Sequence, residues 1–200
     1  MTKIKNHHPV SVVRGEPLRQ TVLDAAEALL RDGKADFSMR DLAARAGVSF
    51  ATPFNQFGSK VAIMHALSAR RIDEMTKRFS AAPAMPDAID RVLLATAIGA
   101  EVMLEQPEVN RTVMGWIGTA ALPSGQVLAH SSASWALAIG AGEGLKSDRR
   151  EEALRVLPSQ LAFGFRGVLS FWTAGELPGE ALASHARDVA RALLAGFMER

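Results

Sequence analysis

The sequence predicts an all-α fold. Alternating runs of β-branched residues are missing, apolar residues recur at the helical period, and alanine and leucine dominate throughout. With 200 residues the chain is long enough for one sizeable core or two small domains, and 48% hydrophobic with 22% charged residues describe a soluble globular protein. Cysteine is absent, which excludes disulfides, thiolate metal sites and cysteine nucleophiles. The opening MTKIKNHHPVSVVRGEP has charge but no apolar stretch of the signal-peptide kind, and no apolar run reaches membrane-spanning length. A cytoplasmic protein without a membrane partner is the default expectation.

The elements follow in order. Residues 1–15 read as a frayed basic arm with Lys3, Lys5 and Arg14. A first helix is expected from about Pro17 to Arg31, with Leu18, Val22, Ala25 and Leu29 on one face and Gly33 ending it. A second opens at Ser38, where Ser38 and Asp41 fit a capping box, runs through Leu42 and Ala43 to Ala46, and stops at Gly47. A short third helix lies within GVSFATPFNQFGSK, residues 47–60. A fourth starts near Ser59 and passes Ile63 and Leu67 toward Phe79. The two prolines of SAAPAMPD mark a domain boundary, giving a front domain over 16–80 and a back domain over 81–200.

Behind that boundary, helices are expected over about Asp87–Gln106, Pro107–Trp116 and Ser124–Ala141. The loop GAGEGLKSD follows, then helices over about Arg149–Thr173 and Glu180–Met198. Pro158 is expected to interrupt or kink the first of that last pair. Charge divides along the same line: up to Phe79 there are 13 Lys and Arg against 8 Asp and Glu, and afterwards 10 against 13. A basic front on a mildly acidic body fits a front that meets a polyanion.

Helix, helix, glycine turn, short helix is a helix-turn-helix pattern, whose second helix enters the major groove of DNA. Ser49 or Thr52 can cap the short helix, Asn55 and Gln56 can bond base edges or phosphates, and Lys60 offers a charge just past the helix. Phe57, Val48, Leu42 and Ala46 are read as core. Phe54 is divided between core and DNA backbone contact, and Arg40 and Arg45 between flanking the groove and simple solvation. Pro53 has two readings. Counted from a Ser49 cap it falls four residues in and removes the first intrahelical bond; counted from a Thr52 cap it sits at the favoured first position of a very short helix.

From Arg19 to about Leu67 the chain resembles the DNA-binding domain of the TetR family of bacterial transcriptional regulators. The resemblance rests on Arg19, Ala25-Ala26, Gly33, Ser38, Leu42-Ala43, Ala46-Gly47-Val48-Ser49, Thr52, Phe54, Phe57 and Ser59-Lys60, in order and with the family's gaps. More loosely, GVLSFWTAGELPGEAL resembles the end of the family's penultimate helix and the start of its last. The resemblance implies a three-helix DNA-binding domain and a C-terminal helical domain for effector binding and dimerisation. The partners it implies are a double-stranded DNA operator, a small-molecule effector of unknown identity and a second copy of the chain. DNA contacts are expected among Ser38, Arg40, Arg45, Gly47, Ser49, Phe50, Thr52, Pro53, Phe54, Asn55, Gln56 and Lys60. Phe54 stands where the family usually has tyrosine, and the chain has no tyrosine, so a phenolic hydroxyl that could bind phosphate is missing.

In the back half, Leu161, Phe165, Val168, Leu169 and Trp172 share one helical face and Phe163, Gly167 and Phe171 another. A helix apolar on two faces is buried on two sides, one by its own domain and one by a partner. With Leu182, Ala186, Val189, Leu193 and Phe197 on the last helix, this predicts a four-helix dimer interface. The residues expected at that interface are Leu161, Phe165, Val168, Trp172, Leu182, Val189, Leu193 and Phe197, and Gly164 and Gly167 would permit close helix approach. Candidate pocket residues are Met103, Met114, Trp116, His130, Trp135, Phe163 and Arg166, which suit an apolar pocket but also an ordinary core. Arg166 fits an anionic ligand or an interface ion pair.

Enzyme chemistry finds no support. GAGEGLKS resembles a phosphate loop, but Leu145 breaks the glycine-lysine-serine triplet and no strand precedes it. The histidines have no metal-ligand spacing, neither Ser170 nor Ser124 sits in a nucleophile elbow, and no cofactor is called for. The rival to a DNA-reading repressor is a dimeric helical interaction or ligand-binding protein that has lost sequence-specific reading, with Pro53 and Phe54 as its support.

Overall fold

A computed structural model describes residues 15–119 and 126–198. The expected basic arm, Gly15 apart, and the expected helix start at Ser124 lie outside them. Among the described residues there are nine α-helices, α1 (Glu16–Arg31), α2 (Met39–Ala46), α3 (Ala51–Phe57), α4 (Lys60–Ala81), α5 (Ala88–Glu105), α6 (Pro107–Thr119), α7 (Gln126–Ile139), α8 (Arg150–Thr173) and α9 (Gly179–Leu194). No strand forms among them; the one β-type contact is an isolated bridge between Leu145 and Met198. None of the described helices is long and apolar enough to cross a membrane.

The chain divides into two compact units, one up to Ile63 and one from Met64. The division therefore falls inside α4 and not at the proline segment. The physical reason is the polar lacing of α4 beyond its first turn. Arg71 Nε donates to Asn110 Oδ1 at 2.8 Å, Thr76 Oγ1 and Ser134 Oγ share a hydrogen bond of 2.8 Å, and Arg78 pairs with Glu105. The proline segment is itself held in the second unit, where Arg91 Nη1 donates to the carbonyls of Met85 and Pro86, each at 3.0 Å.

In the first unit the apolar stripe of α1 (Val22, Ala26, Leu29 and Leu30) is buried with Phe37, Leu42, Ala43 and Ile63. Helix α2 begins in the capping box the sequence predicts. Ser38 Oγ accepts from the Asp41 N–H at 3.2 Å, and the Asp41 carboxylate accepts from the Ser38 N–H at 2.8 Å. It ends at Gly47, whose φ of 65° is the left-handed conformation that releases the chain into the turn.

In the second unit two clusters of buried side chains meet at Phe165. One gathers Trp135, Ile139, Leu157, Leu161, Leu194 and Phe197; the other gathers Met103, Met114, Val168, Leu169, Trp172 and Leu182. Helix α8 runs unbroken through Pro158, contrary to the sequence expectation of an interruption. Leu154, whose carbonyl loses its N–H partner to the proline, lies on the exposed side of the helix, where water can serve it. The glycine-rich stretch after α7 is a tied loop. Arg91 donates to the carbonyls of Ala138 and Ile139 at 3.0 and 2.8 Å, and the Ala88 N–H donates to the Glu143 carbonyl at 2.8 Å.

Candidate nucleic-acid interface and effector cavity

Helix α3 starts at Ala51 with Phe50 in the cap position, and neither Ser49 nor Thr52 caps it through a side chain. Instead the Ser49 and Thr52 hydroxyls share a hydrogen bond of 2.8 Å, and the Thr52 N–H donates to the Ser49 carbonyl at 2.9 Å. Pro53 is thus the third helical residue. The first amides of any helix lack intrahelical acceptors, so the missing N–H costs no bond there. Its ring is buried, which removes it from the set of DNA-facing residues and makes it part of the packing.

What the head exposes is compact. Phe50 and Phe54 are 54% and 43% exposed and meet edge to face with ring centroids 5.4 Å apart. The Arg40 guanidinium lies 5.7 Å from the Phe50 ring, and Ser49 and Asn55 are exposed beside them. Large aromatics left in water on a basic head form an apolar contact surface flanked by a cation. Phe54 therefore stands outside the core.

Other expected contacts have structural duties. Ser38 Oγ is occupied by the Asp41 cap. That hydrogen bonding, backbone first, holds the Asp41 carboxyl below its usual range. Arg45 pairs with Asp32 at 3.0 Å. Lys60 donates to the Ala35 carbonyl at 2.7 Å and lies 4.3 Å from the Phe37 ring centroid, so its charge also ties the start of α4 to the turn before α2; burial pushes its pKa down. The Gln56 carbonyl accepts from Arg19 Nη1 at 2.9 Å. Arg19, visible in the sequence only as part of the family pattern, is what anchors α3 to α1.

The second unit contains a partly open cavity of about 280 Å3 lined from α4, α5, α6, α7 and α8. Met103, Met114, Trp135, Phe163 and Arg166 line it as expected pocket residues would, but Trp116 and His130 do not. His130 Nε2 instead lies 2.9 Å from an Asp73 carboxylate oxygen at an exposed position. The sequence reading missed the α4 wall of Ser68, Arg71, Ile72, Met75 and Phe79. Their spacing, one stripe at the helical period, could have pointed to it.

The interface residues need correction. Leu161, Val168, Trp172, Leu182 and Phe197 are buried within the unit itself, and Phe165 stacks edge to face on Trp135 at 5.7 Å. Val189 and Leu193 close over Gly164, where a Cβ would lie 2.7 Å from the one and 3.0 Å from the other. These side chains serve the unit's own core because α8 packs on α9 through this face. The other face carries exposed Phe163 and Phe171, with open space at Gly167 between them.

Residues 22–67 match the family described as bacterial regulatory proteins, tetR family. No curated protein matches the chain. Among solved structures, a TetR transcriptional regulator from Rhodococcus sp. RHA1 is similar with a TM-score of 0.71 at 22% identity, over 90% of this chain and 96% of the other. Full-length native TylP, a TetR regulator from Streptomyces fradiae, is similar with a TM-score of 0.57 at 16% identity, over 93% and 89%. The repressor AlkX from Dietzia sp. strain DQ12-45-1b, described as implicated in biodegradation of n-alkanes, follows with 0.55 at 17%, over 94% and 98%. At these identities the likeness is one of fold.

Proposed function

We propose that this chain is a regulator of the TetR type, as its N-terminal match and its fold suggest, and that it acts as a homodimeric repressor released from its operator by a small molecule. The observation that carries the reading is the pairing of two features. One is an exposed Phe50–Phe54 surface on a helix-turn-helix in the first unit; the other is a largely apolar cavity within the second unit. A ligand releases DNA only if it binds the DNA-incompetent state more tightly, so the cavity must change shape or hydration between the two states.

Dimerisation is assigned to the exposed stripe of α8, Phe163, Gly167 and Phe171, which recur every fourth residue. Two such heads would read a pseudo-palindromic site. DNase I footprinting on the DNA upstream of the gene tests this reading. It predicts a protected region of two half-sites related by a dyad, about one helical turn or a multiple apart. A single unpaired half-site, or no protection at concentrations that saturate nonspecific binding, would contradict it. The absence of the family's phenolic hydroxyl does not remove the surface, because Phe50 and Phe54 together present two rings.

A further inference from the structure

We propose that the cavity takes a small amphipathic anion: an apolar body seated among Met75, Met103, Val113 and Trp135, with a single carboxylate held by Arg166. The proposal rests on the cavity being the effector site.

Three observations carry it. Among the described residues the wall is apolar apart from a few groups, its charged members are Arg71 and Arg166, and no carboxylate lines it. A largely apolar cavity whose fixed charges are all positive favours an anion over a cation.

The two arginines are not equivalent. Arg71 is engaged with Asn110, which in turn donates to the carbonyls of Val102 and Met103 at 3.2 and 2.9 Å. Among the described residues Arg166 hydrogen-bonds only Met114, through the sulfur and the carbonyl oxygen, each at 3.4 Å. Both are long, neutral contacts, and no ion pair to Arg166 forms among the described residues. A half-buried guanidinium without a counter-charge is costly in an empty protein, and burial pushes its pKa down. A carboxylate is the group that matches its planar fork, through two parallel charge-assisted bonds.

The neighbourhood offers no internal carboxylate in its place. His65, close enough for the Arg166 charge to act on it, has its pKa lowered first by burial and then by that charge. Its Nε2 is buried without a hydrogen-bond partner among the described residues. The volume of about 280 Å3 lies just below the ~300–1,000 Å3 found for ligand pockets, which limits the body to a small one.

The test is calorimetric titration of the full chain with octanoate, 1-octanol and octylamine, repeated on Arg166→Gln and Arg166→Lys. Octanoate is expected to bind about tenfold or more tighter than 1-octanol, and octylamine more weakly than either. Arg166→Gln should bring octanoate to the level of 1-octanol without changing 1-octanol, and Arg166→Lys should recover part of the loss. Equal affinity for acid and alcohol, or octanoate binding unchanged in Arg166→Gln, would overturn the anion assignment and leave the cavity as a ligand site. Binding of none of the three to folded protein would overturn the cavity reading with it. Should Arg166→Gln fail to fold, the acid–alcohol comparison on the unaltered protein decides alone.

Discussion

Arg19 Nη1 donates a 2.9 Å hydrogen bond to the carbonyl of Gln56, joining the first turn of α1 to the last turn of α3. The same guanidinium sits 4.1 Å from the Phe57 ring centroid. One side chain thus fixes the end of the reading helix by two contacts. Replacing it with alanine removes a charged hydrogen bond and a cation–π contact, together about 2 kcal/mol. Arg19→Ala should lower the stability of the first unit by that order, measured by urea unfolding, and weaken DNA binding by misplacing α3. Arg19→Lys should keep part of the charge contact but not the guanidinium geometry.

Phe54 and Phe50 meet each other and water, not the core. Phe54→Ala should therefore leave thermal stability within about 0.5 kcal/mol of the unaltered protein. Specific DNA affinity should fall by about 1 kcal/mol, roughly fivefold, if the ring makes apolar contact with the duplex. Stability and binding measured on the same sample separate this from a core role, in which both would fall together.

The capping box predicts an acid dependence. Hydrogen bonds from Ser38 hold the folded Asp41 pKa below its unfolded value, so its stabilisation is complete above the unfolded value. That stabilisation disappears as pH falls through the folded value. Ser38→Ala should cost about 1 kcal/mol at pH 7 and flatten this part of the acid limb. Unfolding curves at pH 7 and at stepped pH values below ~4 read both effects.

Two neighbours on α8 should behave in opposite ways. Phe171 is exposed while Trp172 is fully buried. Phe171→Glu should leave the fold intact and convert a dimer to monomer by sedimentation velocity. Trp172→Ala should cost about 3–5 kcal/mol of stability through the cavity it opens.

The front of the chain was the more legible half. Ser38, Asp41 and Gly47 are local devices whose residue types dictate their geometry, so the start and stop of α2 could be read directly. Pro53 could not be placed, because its meaning depends on which residue opens α3, and no side chain caps that helix. The two apolar faces of α8 were both visible, yet periodicity does not say which meets the unit's own core. That is decided by Gly164, where Val189 and Leu193 come close enough to seal one face. Trp116 and His130 were placed in the cavity for their size and polarity alone, and neither property states which way a helix turns. The α4 wall is hidden in the sequence because the boundary signal lies in the proline segment, whereas the compact units divide inside α4.

Fluorescence-anisotropy titration against DNA from just upstream of the gene, beside a scrambled duplex at two salt concentrations, tests the central claim most directly. A sequence-reading head predicts binding to the upstream duplex ~10³-fold or more tighter than to the scrambled one, a ratio kept at the higher salt. Equal affinities that fall together as salt rises would mean that phosphate contacts alone hold the DNA, and would contradict sequence-specific regulation from that site.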